Sequence, residues 1–339
     1  MSTETITLEK YTYGGDILGR LKDQKAVFVP FAIPGEIVRV QLVEEKNRYA
    51  RAELLEVLEN DPDRIKPRCK HFTHCGGCHY QHIPYEVQLH AKEETLHDQI
   101  QRIGKIDSPL IKPFIASPQP WCYRNFIQFH LTPDSRLGYQ AHRSHEVIPI
   151  EECHLPESAI AEIWPHLDLE VIPGLDRVGI RVGSDEEILL NLESSDPQPL
   201  SLELDLPISV VHSGPIGSII LAGDDHLFYT IKGYRFKVSA GSFFQVNTLM
   251  AEAMVDHILN LITENSKIVE AYCGVGLFSA FLAPKAHQII GIESSPTACE
   301  DFMDNLDSFD NVTLYEAAIE DVLPYIDPVS YTHLRAHET

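Results

Sequence analysis

Three of the seven cysteines crowd into one short stretch, in the pattern Cys69-x5-Cys75-x2-Cys78. Thiolates bind zinc and iron–sulfur clusters, and two of them separated by two residues can wrap one metal centre from a tight turn. Gly76 and Gly77 give such a turn its backbone freedom. Three cysteines leave one ligand missing; Cys153 can supply it, or a histidine if the metal is zinc. The N-terminus has neither the basic region nor the apolar core of an export signal, so the cluster reads as metal ligation sooner than as disulfides.

A second constellation is Glu270-Ala-Tyr-Cys-Gly-Val-Gly276, followed 17 residues later by Glu293. A glycine loop leaving a strand lets a ligand approach the backbone at a helix N-terminus. An acid ending the next strand, about 20 residues on, can accept hydrogen bonds from a ribose. Together they point to an adenosine-containing cofactor, and by themselves do not separate S-adenosylmethionine from NAD. Ser242-Phe-Phe-Gln-Val-Asn247 runs directly into this unit, but taken alone is only an aromatic-rich strand with two amides. Cys273 is expected to pack in the loop and not to act as a nucleophile, and Cys122 and Cys299 read as ordinary small apolar residues. The histidines between 71 and 97 lack metal-helix spacing and read as surface groups or groups behind the ligands.

The elements that must position these residues fall into three parts. Residues 1–60 hold short strands at 6–8, 26–31, 36–44 and 51–58, separated by glycine and proline turns, as in a small barrel. Residues 61–240 carry the cysteines, then a helix over 84–104 with Leu89, Leu96, Ile100 and Ile103 on one face, then strands at 126–131, 137–141 and 146–150. This helix is expected to pack on the cofactor domain. The stretch 184–206 reads as acidic and turn-rich. From 241 to 327 strands and helices alternate: helix 251–261, strand 268–272, helix 277–283, strand 288–293, helix 296–306, strand 311–317. That alternation builds a doubly wound parallel sheet, here with three strands.

The net charge of −23 is uneven. Residues 1–150 carry 19 Lys+Arg against 19 Asp+Glu, and residues 151–339 carry 8 against 31. Nucleic-acid contact is therefore expected mainly in the first 150 residues. No apolar run is long enough to cross a bilayer, so a cytoplasmic location without membrane contact is expected.

Cys69-x5-Cys75-Gly-Gly-Cys78-x2-Gln81-His82, with Tyr85 and Gln88, resembles the cluster motif of the 23S rRNA (uracil-5-)-methyltransferases. Tyr123-Arg124-Asn125, Gly138-Tyr139 and Ile150-x2-Cys153 resemble that family's central domain. Residues 242–247 and 270–278 resemble its S-adenosylmethionine motifs, and residues 5–60 are similar to a TRAM domain, an OB-like RNA-binding barrel. The resemblance runs from about residue 5 to 327 with the motifs in the family's order.

It implies a multidomain α/β protein: an OB-like TRAM barrel, a β-rich central domain with a [4Fe–4S] cluster, and an incomplete Rossmann-like methyltransferase domain. It further implies Cys69, Cys75, Cys78 and Cys153 as cluster ligands. Gln245, Tyr272 and Glu293 match positions that contact S-adenosylmethionine, and Gly274 and Gly276 shape its loop. RNA, most of all rRNA, is the implied partner, and no obligate protein partner is evident. In the family a cysteine thiolate adds to C6 of a flipped-out uracil, so that C5 takes the methyl group before a base removes its proton.

The Asp-Pro-Pro-Arg-like and Ser-Cys-Asn-Pro-like segments that carry the family's later chemistry are absent, and residues 328–339 match nothing in its pattern. The expectation is a truncated chain with a non-native tail, lacking the nucleophile and base and inactive as written. The alternatives are a non-catalytic iron–sulfur RNA-binding protein and an iron–sulfur oxidoreductase using NAD.

Overall fold

A computed structural model describes residues 2–167, 169, 171–196 and 207–326. The expected non-native tail at 328–339 lies outside them. The chain divides into two compact units: residues 1–116 with 138–154, and residues 117–137 with 155–339.

The first unit is built on a closed barrel. Its strands are β1 (Thr3–Tyr11), β2 (Asp16–Arg20), β3 (Ala26–Pro30), β4 (Ile37–Glu45) and β5 (Tyr49–Glu59), in the order β1-β2-β3-β5-β4. Alternation sends Val38, Val40 and Leu42 of β4 inward with Val27 and Val29 of β3, and closure leaves no open edge. The sequence does not announce β2, which follows the Gly14-Gly15 turn, contains Gly19 and is only five residues long. Glu36 is fully buried beside the barrel; its carboxylate accepts from Arg64 Nε at 2.5 Å, Arg64 Nη2 at 2.7 Å and the Ile33 amide at 2.9 Å. A buried carboxylate is tolerated because its lone pairs are used this fully.

Helix α1 (Tyr85–Arg102) starts behind Pro84 as expected, and it packs on the barrel. Ala91 is buried in the barrel's core with Val87 against it, and Lys10 meets Asp98 at 2.6 Å. Ile103, at the end of the anticipated stripe, is 67% exposed, while Leu89, Leu96 and Ile100 are half-buried. Close approach to the barrel favours a side chain as small as that of Ala91.

The second unit begins with β6 (Phe126–Leu131). A hairpin of β7 (Leu137–Gln140) and β8 (Val147–Pro149), assigned largely to the first unit, interrupts it in sequence. After α2 (Ser158–Ile163) come β9 (Leu175–Val182), β10 (Ile188–Ser194), β11 (Ser209–Gly214) and β12 (Gly217–Ala222). In this unit they are ordered β12-β11-β10-β9-β6, with β10 and β11 parallel and the other neighbours antiparallel. Strand β10 corrects the turn-rich reading of 184–206: Leu189, Leu190 and Leu192 are buried, an unbroken apolar run that suits a strand covered on both faces. Residues 197–206 lie outside the described set.

A hairpin of β13 (His226–Ile231) and β14 (Tyr234–Ser239) leads to α3 (Thr248–Leu259), whose N-cap Asn247 accepts from the Met250 amide at 3.1 Å. Then β15 (Lys267–Ala271), α4 (Leu277–Leu282), β16 (Gln288–Glu293), α5 (Pro296–Leu306) and β17 (Val312–Glu316) form a parallel sheet β15-β16-β17 with its helices, ahead of α6 (Ile319–Val322). The bounds of β16 and α5 match the sequence expectation. Ser295 caps α5 by accepting from the Ala298 amide, and Pro296 occupies its first turn. Among the described residues, no helix is long and apolar enough to cross a membrane.

Candidate functional site

The parallel register brings the ends of β15 and β16 side by side, with Glu270 opposite Gly291 and Ala271 opposite Ile292. Beyond β15 the chain takes left-handed backbone angles at Tyr272 (φ 60°), Gly274 (φ 54°) and Gly276 (φ 87°). The two glycines serve different ends. A Cβ on Gly274 would meet nothing within 4 Å, so this backbone faces open space, as close approach by a ligand requires. A Cβ on Gly276 would overlap Leu306 Cδ1 and lie 3.0 Å from Phe302 Cδ2, so here glycine lets α5 press against the loop. Tyr272, a non-glycine residue held left-handed, is the kind of backbone strain that collects at binding sites.

Glu293 ties this loop to the next. Its carboxylate accepts from the amides of Gly274 at 3.0 Å, Ser294 at 2.8 Å and Ser295 at 2.9 Å. Of about four lone-pair sites on a carboxylate, roughly one is left for a ligand hydroxyl. Glu270 is inward and different: Ser279 Oγ donates to it at 2.5 Å, and burial pushes its carboxyl up to about 7.

These residues border a cavity of about 400 Å³, lined also by Gly241, Phe243, Phe244, Gln245, Cys273, Val275, Leu277, Phe278, Ser295 and Ala298. Gln245, Tyr272, Gly274 and Glu293 therefore meet at one place, while Gly276 sits behind the wall and shapes it through α5. Gln245 is held from behind: Asn125 Nδ2 donates to its carbonyl at 3.0 Å, and the Asn125 amide to Val246 O at 3.0 Å. Phe243, Phe244, Glu270 and Ser295 were not singled out as site residues from sequence. The first two flank Gln245 in the segment read only as an aromatic strand, and Ser295 follows the acid in sequence. Cys273 is buried against Phe302 and Leu306, and burial with the nearby carboxylates of Glu270 and Glu293 drives its thiol pKa far up. Cys299 is buried as expected, but Cys122 is exposed at a left-handed turn (φ 53°) and is not the small apolar packing residue expected.

In the first unit the cysteine loop is assembled from two distant segments. Cys75 bridges to Ala141, the Gly76 amide donates to Gln140 O at 3.0 Å, and the Cys69 amide to Gln81 Oε1 at 3.0 Å. The Lys70 amide donates to Glu152 Oε1 at 2.6 Å and the Glu151 amide to His71 Nε2 at 3.0 Å, which sets the loop beside the segment holding Cys153. All four cysteines are partly buried. Burial raises the Cys75 thiol, and the neighbouring Cys78 and Cys69 raise it further. Among the described residues no three Cys, His, Asp or Glu side chains are grouped so as to hold a metal ion. His82 is not a surface histidine: it is buried, bonded to Ala32 O at 3.0 Å, with its pKa brought down to about 4 by burial.

A closed barrel joined to a parallel α/β unit, with an open glycine turn and an acid on adjacent strand ends, defines a nucleotide-cofactor enzyme of the α/β class carrying an accessory barrel. A TRAM domain model matches residues 1–55, and a model described as tRNA (Uracil-5-)-methyltransferase matches residues 221–327. An uncharacterized RNA methyltransferase of Aquifex aeolicus is 34% identical over 329 residues, covering 92% of this chain and 77% of that protein. Another, from Halalkalibacterium halodurans, is 29% identical and covers 94% and 78%. The crystal structure of Pyrococcus abyssi tRNA (uracil-54, C5)-methyltransferase in complex with S-adenosyl-L-homocysteine has the same fold, with a TM-score of 0.67 at 22% identity over 91% of this chain and 79% of that one. The chain belongs to the RNA (uracil-5-)-methyltransferase family.

Proposed function

We propose that this chain binds S-adenosylmethionine in the cavity at the ends of β15 and β16 and serves methylation of uracil C5 in RNA, with 23S rRNA as the target. The observation that carries the reading is the open, left-handed Gly274 facing one cavity with Glu293 and Gln245. When bound, S-adenosylmethionine supplies an electrophilic methyl group on a sulfonium. The residues of the chain do the rest of the binding. Glu293 fixes the glycine turn and keeps capacity for a ribose hydroxyl. Tyr272 and Phe243 offer aromatic walls, and Asn125 holds the Gln245 backbone. Cys273 is not assigned as nucleophile, because a buried thiol between two acids stays protonated. Among the described residues we assign no nucleophile.

Cys69, Cys75, Cys78 and Cys153 would hold a [4Fe–4S] cluster, whose chemistry here is structural: thiolate bonds that fasten the 69–78 loop to the 151–153 segment. The barrel and this loop, in the half of the sequence with balanced charge, would form the RNA-contacting part.

The test is calorimetric titration with S-adenosylhomocysteine, together with competition between 23S rRNA fragments and tRNA for the same protein. Wild type should bind the nucleoside and Glu293→Ala should bind at least about tenfold more weakly, a loss of about 1.4 kcal/mol. Equal binding by the two proteins would remove the cavity assignment, and preference for tRNA would remove the rRNA assignment alone.

A further inference from the structure

Residues 241–245 form a strap along the cavity that belongs to no helix or strand, yet two opposite buried charges grip its start. Asp301 on α5 is fully buried. One oxygen accepts from the Ser239 amide at 2.8 Å and Ser242 Oγ at 2.5 Å, and the other from Ser239 Oγ at 2.7 Å. Arg181 on β9 is 5% exposed. It donates to Ser239 O at 3.3 Å and Ser242 O at 2.8 Å, with its guanidinium over the Phe126 ring at 4.9 Å. The carboxylate takes the Ser239 N–H and the O–H groups of both serines, and the guanidinium takes their carbonyls.

For stability alone this is a poor solution, since a well-packed apolar pair commonly does as well as buried charges. What such a pair does supply is fixed geometry, because each hydrogen bond has one direction and an unpaired buried charge is not tolerated. The geometry fixed here is that of the cavity. Gly241, Phe243, Phe244 and Gln245 follow directly from the clamped serines and line it. Asp301 stands on the same β16–α5 unit as Glu293, so the clamp references the strap to the acid across the cavity.

We propose that Asp301 and Arg181 are positioning residues for the cofactor, a buried charge clamp on Ser239 and Ser242 that sets the strap's distance from Glu293. The proposal rests on the reading of the cavity as the S-adenosylmethionine site. Neither residue touches the ligand; both act through the serines. Replacing the carboxylate by an amide puts a donor where an acceptor is needed, so the strap must shift to relieve it.

The experiment measures the dissociation constant for S-adenosylhomocysteine and the melting temperature of the full chain as wild type, Asp301→Asn, Arg181→Lys and Ser242→Ala. Phe129→Leu, at a buried position of β6 that takes no part in the clamp's hydrogen bonds, serves as a control for lost stability. Asp301→Asn should bind about tenfold more weakly, with Arg181→Lys and the mild Ser242→Ala weakened less, and Phe129→Leu should melt lower but bind as wild type does. Should Asp301→Asn fail to fold, Ser242→Ala still decides. Wild-type affinity in the folded clamp variants would overturn the clamp while leaving the cavity assignment intact. Absence of binding by wild type would remove the cavity assignment and the clamp with it.

Discussion

The two units hold their sites by different means. In the second, the walls of the cavity grow out of a continuous apolar core: Phe244, Val275, Leu277 and Ala280 pack in one cluster with Tyr229, Phe236 and Val255, and Tyr229 stacks on Phe244 at 4.6 Å. Backbone amides already satisfy Glu293 before any ligand arrives. In the first unit the barrel is as well packed and Phe72 anchors the cysteine loop against Phe31 and His82, but around Cys69 the loop is held by hydrogen bonds to Gln81 and Glu152 and by an exposed Lys70–Glu151 pair. Exposed pairs contribute little. One site is shaped by the fold, and the other, in the reading proposed here, is completed by its cluster.

Removing the proposed cluster should therefore break the comparison most strongly. Cys75→Ala, or exhaustive iron chelation, should cost the first unit several kcal/mol and expose the 69–78 loop to protease, while S-adenosylhomocysteine binding stays at the wild-type level. Iron and sulfide analysis with limited proteolysis checks this; an iron-free protein with a protease-resistant loop contradicts it.

The next effect is in the second unit. Gly276→Ala should destabilise by about 2–4 kcal/mol, because the methyl meets Leu306 and Phe302 and the backbone is left-handed. Denaturant unfolding measures it, and an unchanged midpoint would show that α5 can move away freely.

Glu270 gives an effect of similar order that depends on pH. Its carboxyl rises from 4.5 to about 7 on folding, so the folded state holds a proton that the unfolded state has lost. Its contribution is fully present below pH 4.5 and is lost as pH rises through about 7, on the order of 3 kcal/mol. Glu270→Gln should flatten that part of the stability curve, and an unchanged slope would contradict the assignment. The smallest change, Ser295→Ala, removes the α5 cap and should cost about 1 kcal/mol in the same unfolding measurement.

What was legible in the sequence divides along the same line. Strand β16 and helix α5 could be bounded from sequence because β-branched residues, Ser295 and Pro296 act locally. The cavity's acid and open glycine were legible because strand, turn and acid follow each other at short range. The roles of Arg181, Asp301 and Asn125 were not, since each acts through partners that lie 58 to 123 residues away. On α1 periodicity marks the leucines, while the residue buried in the barrel's core is the small Ala91. The parallel pairing of β3 with β5 likewise leaves no local trace. Chemistry at short spacing was readable, and chemistry assembled by topology was not.

The most direct measurement is a crystal structure of the protein soaked with S-adenosylhomocysteine. The account predicts the nucleoside in the cavity, with a ribose hydroxyl within hydrogen-bond distance of Glu293 and the backbone of Gly274 against the ligand. A nucleoside bound elsewhere, or a cavity that stays empty at saturating concentration, would contradict it.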